Sequence, residues 1–319
     1  MASTEATTGE ARTCPVCGAQ LPAQTAIRGP DRLLRTPGEF AVRVCTACGA
    51  GVTEPAVSED DLGAYYGARY GSHAEPAGGA YAMLSAALKR AQVRALLRRP
   101  PFAQALTPTP EREGPARALD VGCARGDLAA GLLTRGFRVD GIEPSGAAAQ
   151  LACARGVRVL GPTLSRAPLE AGTYDVVVLR HSLEHLVDPA TDMRRIGEAL
   201  RAHGRVVISV PNFASWQRAR FGSHWFHLDL PRHRVHFTPS SLRVLLEGAG
   251  LSVRAPFTTT SVLGLPASIQ YALIGRCLAP RGLALRALAA LCCLAFPLTW
   301  LLDRAGGEGD TIHMIAERV

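Results

Sequence analysis

The sequence predicts an α/β protein built on a doubly wound, mostly parallel sheet, with a small cysteine-rich unit before it. Three observations carry this. Strand-like runs near 117–121, 138–142, 157–160, 174–179, 204–210, 251–258 and 311–318 alternate with helical stretches. A glycine-rich turn, Gly122-Cys123-Ala124-Arg125-Gly126, joins the first run to the first helix. Two Cys-x-x-Cys pairs stand near the N-terminus. Right-handed crossovers make the first five runs parallel, and a ligand belongs at their carboxyl ends.

Composition bounds the answer. A chain of 319 residues holds one large domain and a small one. Apolar residues make up 47%, enough for a buried core. The net charge is +8, yet Lys89 is the only lysine, so the arginine excess reads as a coding habit. A solvated basic surface accounts for it; an anionic partner such as a nucleotide-sugar, a phospholipid surface or RNA is the other reading. The first twenty residues are polar and contain Glu5 and Glu10, so no secretory signal is expected. Nine cysteines then point to the reducing cytoplasm and away from disulfides.

The run Ala118-Leu-Asp120-Val ends in the glycine turn. Gly122 and Gly126 let backbone approach a ligand closely. The run Arg138-Val-Asp-Gly-Ile ends at Glu143-Pro144, seventeen residues beyond Gly126. That is near the ~20-residue offset at which a carboxylate meets a ribose hydroxyl. The Gly-x-Gly-x-x-Gly pattern of dinucleotide binders is absent. Tyr174-Asp-Val-Val-Val-Leu-Arg180-His181-Ser-Leu-Glu184-His185-Leu-Val-Asp-Pro follows, then Gly204 to Asn212.

This series resembles the class I S-adenosylmethionine (SAM) methyltransferases over roughly 116–260 plus the last strand. The resemblance implies their Rossmann-like seven-stranded sheet with an antiparallel last strand. It implies a SAM site at Asp120, Gly122, Cys123, Ala124, Gly126, Glu143, Pro144 and Arg180, with the turn cradling the methionine part and Glu143 holding the ribose. Two departures stand out. Ala124 replaces the middle glycine, a mild change if φ stays negative. After the third strand, Gly161-Pro-Thr-Leu164 offers no acid to adenine, leaving that to backbone groups.

Cys14-Pro-Val-Cys17-Gly and Cys45-Thr-Ala-Cys48-Gly are separated by 27 residues. Each pair sets two thiolates on a tight turn, and four can close a tetrahedral, structural Zn2+ site. Alternation in Leu33–Thr36 and Glu39–Val44 completes a zinc ribbon; redox pairs are the alternative. Cys123, Cys153, Cys277, Cys292 and Cys293 read as core filling. The ribbon and the later Tyr65-Tyr66-x3-Tyr70 segment together resemble bacterial methyltransferases of the methyltransferase-23-like group, many associated with sugars or secondary metabolites. The expected organisation is a ribbon over 1–55, a helical segment and Pro-rich linker over 56–115, and the methyltransferase domain over 116–319. A helix start capped by Ser58 and a long helix over 80–99 fall in the middle segment.

For the chemistry, a histidine suits removal of a hydroxyl proton near neutral pH. His181, Glu184 and His185 follow the fourth strand; a helical stretch would set both histidines on one face. His185 is the leading base, with pairing to Asp188 as its structural alternative and a metal at these residues as another. A second cluster runs from His224 to His236 and includes His227, Asp229, Arg232 and His233. His233 is expected to meet the acceptor, and Arg232 to pair with an acceptor phosphate. These histidines are also readable as core or lid residues.

Residues 262–303 form an apolar insertion, with sixteen uncharged residues from Ala287 to Leu302 and Pro297 among them. A spanning helix needs roughly 20. The expected form is a helical hairpin making peripheral membrane contact, or capping a dimer or acceptor pocket. The combined expectation is a SAM-dependent methyltransferase acting on a small-molecule or glycan acceptor, nucleotide- or lipid-linked in some readings, most simply at oxygen. An RNA methyltransferase and a non-catalytic SAM-fold binding module are the alternatives. Nucleic acid is disfavoured because the Asn/Asp-Pro-Pro-aromatic motif of base methylation is absent.

Overall fold

The computed structural model describes residues 12–58, 65, 91, 94–95, 97–108, 114–254, 256–261, 264–276, 297–305 and 308–319. The Ser58–Asp61 helix start, Tyr66, Tyr70 and most of the helix expected over 80–99 lie largely outside these residues.

The N-terminal strands are β1 (Ile27–Pro30), β2 (Glu39–Val44) and β3 (Gly51–Glu54). A short helix α1 (Phe102–Ala105) precedes β4 (Arg117–Val121), α2 (Asp127–Leu133), β5 (Arg138–Ile142), α3 (Gly146–Cys153), β6 (Arg158–Gly161) and β7 (Tyr174–Arg180). Then come α4 (Pro189–Ala199), β8 (Leu200–Pro211), α5 (Trp216–Phe221), β9 (Val235–His236) and α6 (Pro239–Gly248). The chain ends with β10 (Leu251–Val253), β11 (Phe257–Thr259), α7 (Gly264–Ile274) and β12 (Thr311–Arg318).

The main sheet runs β10-β12-β8-β7-β4-β5-β6, with β11 also pairing with β12. Strands β4 to β8 are parallel, and β12 enters antiparallel to β8. This is the Rossmann-like arrangement expected. Val176 to Leu179 are buried on both sides, as a central parallel strand with helices on both faces requires. The run expected over 251–258 splits into β10 and β11. Pro256 has no N–H to give the ladder there. Helix starts are set by side chains: Ser145 accepts from Ala148 N–H, Asp188 from Thr191 N–H, and Thr238 and Ser241 cap reciprocally. Asp188 is thus a helix cap and not the partner of His185. Cys123 is buried, as core filling requires, but Cys153 is exposed; it ends α3 on a face turned to solvent. Cys277, Cys292 and Cys293 lie outside the described residues.

The second sheet runs β1-β2-β3-β9. Its fourth strand comes from residues 235–236, paired as Gly51↔His236 and Val52↔Val235. The ribbon is therefore clasped into the main domain. Thr53 N–H donates to the Arg234 carbonyl (2.9 Å), and Thr53 Oγ1 donates to the His233 carbonyl (2.6 Å). Cys14, Cys45 and Cys48 share a hydrophobic cluster with Phe237 and Leu242.

Arg232 anchors the clasp. Its guanidinium is 0% exposed and meets Asp31 through two bonds of 2.9 and 2.6 Å, and Asp229 through two of 3.0 and 2.6 Å. These carboxylates push the Arg232 pKa up despite burial, and Arg232 holds Asp31 below the usual carboxylate range. The expected phosphate role of Arg232 is thus overturned: a fully buried guanidinium with two carboxylates has no face left for an acceptor anion.

Of the apolar insertion, residues 262–263 and 277–296 lie outside the described residues. The described parts are α7 and the helical stretch 297–305, where Leu273, Leu298, Trp300 and Leu301 are exposed. Among the described residues no helix is long and apolar enough to cross a membrane.

Removing one partner of a buried charge pair strands the other without solvent. Asp31→Ala is expected to lower the unfolding free energy by about 3–5 kcal/mol, read as a fall in the urea midpoint. A loss below about 1 kcal/mol would show that the pair is not essential to the clasp.

Candidate active site

The site starts where β4 ends. Gly122 and Cys123 N–H both donate to the Ile142 carbonyl (2.8 and 3.1 Å), folding the turn over the end of β5. Gly122 has φ +74° and Gly126 φ +77°. A Cβ on Gly122 would stand 2.8 Å from Ser182 Cβ, so the turn and the loop after β7 are in close approach. Ala124 has φ +48°, against the expectation of a negative value. The turn needs a left-handed residue there, and that conformation costs an L-residue about 1–2 kcal/mol. It is held by Glu143, whose Oε2 accepts from Ala124 N–H at 2.8 Å while Oε1 accepts from Ser145 N–H at 2.8 Å. Cys123 contributes backbone only: its side chain is buried, and its Sγ would lie 2.7 Å from a Cβ on Gly141.

Asp120 is 2% exposed, and its Oδ2 has no hydrogen-bond partner. Burial pushes its pKa up to about 7, Glu143 adds to the shift, and Arg180 opposes it. Arg180 ends β7 and is itself disfavoured by burial, with Asp120 and Glu184 offsetting this. Pro144 is exposed beside Glu143. The turn therefore juxtaposes two carboxylates, one guanidinium and a backbone stripped of side-chain bulk. Such a set fits a ligand that combines positive charge with sugar hydroxyls, because carboxylates attract cations and accept from hydroxyls.

Beyond Ser182 lies the histidine cluster. The stretch after β7 is a single 3-10 turn, Leu183–His185, and His181 precedes it at φ +52°. His181 and His185 therefore do not share a helix face as expected. His181 N–H donates to the Ser209 carbonyl, and its Nδ1 lies 3.4 Å from Glu184 Oε1. Its side chain is 38% exposed and keeps contact with solvent, while burial of the ring nitrogens and the nearby Arg180 push its pKa down to about 3. Glu184 is 1% exposed, and among the described residues neither carboxylate oxygen has a hydrogen-bond partner.

His185 Nδ1 lies 2.9 Å from the Arg232 carbonyl, and His233 Nδ1 lies 2.8 Å from the His227 carbonyl. A carbonyl only accepts, so both rings carry the proton on Nδ1 and the lone pair on Nε2. The rings meet edge to face with centroids 4.7 Å apart. His233 Nε2 is 4.0 Å from Glu184 Oε1 and 3.8 Å from Asp229 Oδ2. Burial pushes His185 down to about 4, helped by His233, and lowers His233 also. His227 turns away toward Asp310 (3.5 Å), and His236 bonds Thr53 Oγ1 (3.0 Å).

The four cysteines form a separate cluster, with Cys14 and Cys48 Sγ 3.7 Å apart and Cys17 and Cys45 Sγ 3.7 Å apart. All four sulfurs lie within 4.8 Å of one another, as a zinc ribbon requires.

Sequence reasoning missed two participants, Asp31 and Thr53, and placed Asp229 in the cluster without giving it a role. Asp31 and Thr53 act on the site from the ribbon, across 201 and 180 residues of sequence. Asp229 touches both Arg232 and His233. No local motif marks Asp31 or Thr53, whereas Asp229 stands three residues before Arg232 in the segment already singled out.

Residues 89–255 match the family described as methyltransferase domain. The chain belongs to this family. It is also similar to the ubiquinone biosynthesis O-methyltransferase of Aeromonas salmonicida, 32% identical over 175 residues, covering 49% of this chain and 74% of that protein. The Marinobacter nauticus protein of the same name is 31% identical over 182 residues, covering 50% and 76%. Among solved structures, geranyl diphosphate methyltransferase in complex with SAM is 18% identical with TM-score 0.48, covering 77% of this chain and 93% of that one. The protein is a SAM-dependent methyltransferase.

In this methyltransferase, a side chain at Gly122 would collide with Ser182 and fill the cradle. Gly122→Val is expected to retain the fold but lose the rise in melting temperature that SAM gives the wild type. Equal SAM-induced shifts in both proteins would show that the turn does not hold the donor.

Proposed function

We propose that the protein methylates a hydroxyl oxygen of a small-molecule or sugar acceptor. The observation that carries this reading is the histidine and carboxylate cluster packed against the Gly122 turn: hydroxyl methylation needs a proton acceptor beside the donor. The O-methyltransferase relatives support it.

SAM, when bound, supplies a methyl group on a sulfonium, already a good leaving group. The backbone of Gly122, Ala124 and Gly126 lines its methionine part, Glu143 takes the ribose hydroxyls, and Asp120 with Arg180 sets the charge balance. Ser182 seats the loop carrying His181 and Glu184 against that turn. His181 takes the acceptor proton. It is the most exposed imidazole of the cluster, so water can support the imidazolium that burial and Arg180 disfavour, and Glu184 lies 3.4 Å from its Nδ1. His185 was the leading base from sequence. The Nδ1 of His185 is tied to the Arg232 carbonyl and its ring packs edge to face on His233, so its role is to hold position.

We further propose that Cys14, Cys17, Cys45 and Cys48 hold one structural Zn2+. Four thiolates leave no open position for chemistry. The ion would brace the ribbon that supports the His233 segment.

Two expected outcomes follow. With SAM and a panel of phenolic, catecholic and sugar acceptors, mass spectrometry should find O-methyl products. His181→Ala should lower kcat by about 10²–10⁴-fold with little change in the KM for SAM. Methylation at carbon or nitrogen, or full activity in His181→Ala, would overturn the reading. Elemental analysis should find one sulfur-bound zinc per chain and its loss in Cys14→Ser; retention of that zinc would refute the ribbon site.

A further inference from the structure

Glu184 poses a physical problem. A carboxylate 1% exposed, with neither oxygen hydrogen-bonded, is rare, because burial without partners removes its hydration for nothing in return. The groups around it do not act as fixed proton donors. His185 and His233 set their Nδ1 protons on the Arg232 and His227 carbonyls, His233 Nε2 faces Glu184 at 4.0 Å, and a ring nitrogen of His185 lies within 4.8 Å of both. Two lone pairs and a carboxylate thus face one another, with Asp229 Oδ2 a further negative neighbour at 3.8 Å from His233 Nε2. Three acceptors converging in a buried place call for a cation.

We infer that Glu184, His185 and His233 form a binding site for a divalent transition-metal ion, distinct from the four-cysteine site. One ligand atom from each lies within 4.8 Å of the others, and His233 Nε2 to Glu184 Oε1 is 4.0 Å. Metal–ligand bonds of about 2.0–2.2 Å set ligand atoms roughly 3.0–3.5 Å apart. Closing the site thus needs about 0.5–1 Å for the 4.0 Å pair and at most about 1.8 Å for any pair. The Nδ1–H to carbonyl bonds are the arrangement that orients metal-binding imidazoles. Two imidazoles with one carboxylate favour Mn2+, Fe2+, Co2+ or Zn2+ over Ca2+ or Mg2+, and three protein ligands leave open positions.

The role of this ion rests on the O-methylation reading. An acceptor hydroxyl oxygen on an open position becomes more acidic. Its proton passes to His181, its oxygen lone pair forms the new C–O bond to the methyl carbon, and the C–S bond breaks with its electron pair going to sulfur. S-adenosylhomocysteine and the methyl ether result, with one proton released.

The test uses the full chain with its cysteine site loaded with zinc, titrated with Co2+. The expected result is one equivalent of cobalt with weak visible d–d bands and no thiolate charge-transfer band. Glu184→Gln and His185→Asn should each weaken that uptake at least tenfold while keeping the SAM-induced thermal shift. No cobalt beyond displacement at the cysteines, or equal uptake in both variants, would overturn the site. Cobalt uptake without any O-methyl product would refute the O-methylation reading and leave the site standing. O-methylation without uptake would do the reverse.

Discussion

The Arg232 guanidinium, buried between Asp31 and Asp229, is the interaction on which the site depends. It links the ribbon to the segment after α5 in a place where no water can stand in. An isolated buried charge is strongly unfavourable, so the three residues hold together or the segment lets go. Packing by Phe237 and Leu242 against the cysteine cluster adds apolar burial on the same seam.

This clasp also sets the chemistry. The carbonyl of Arg232 receives His185 Nδ1–H, and the segment it anchors carries His233. Thr53, from β3, donates to the His233 carbonyl. The small N-terminal unit therefore acts on the cluster through backbone geometry and not by contributing a reacting group. Strand β9 in the ribbon sheet makes the coupling rigid, because a two-residue pairing fixes both register and direction.

The strand, glycine turn and helix around Gly122 were legible in the sequence because they are local. Strand, glycine turn and helix sit within about twenty residues around Asp120 to Leu133, and each part has its own signal. Glu143 was found by its offset alone. Less legible was what depends on backbone torsion or distant contact. Ala124 carries a left-handed φ because Glu143 holds its N–H, and spacing does not report torsion. Arg232 looked like an anion-binding arginine until Asp31 stood against it. His181 and His185 looked like helix partners until the loop proved to be a single 3-10 turn.

By itself, the sequence determined the α/β class, the succession of strands along the chain, the glycine turn at Gly122 to Gly126 and the spacing of the four cysteines. Each of these follows from periodicity or short spacing, which near neighbours enforce. Tertiary structure alone decided that the ribbon borrows a strand from the main domain. It also decided that Arg232 is a buried tie, and that Glu184 and His185 meet His233 across nearly fifty residues. Those outcomes rest on long-range burial and charge pairing, whose energy exists only once the distant segments are packed.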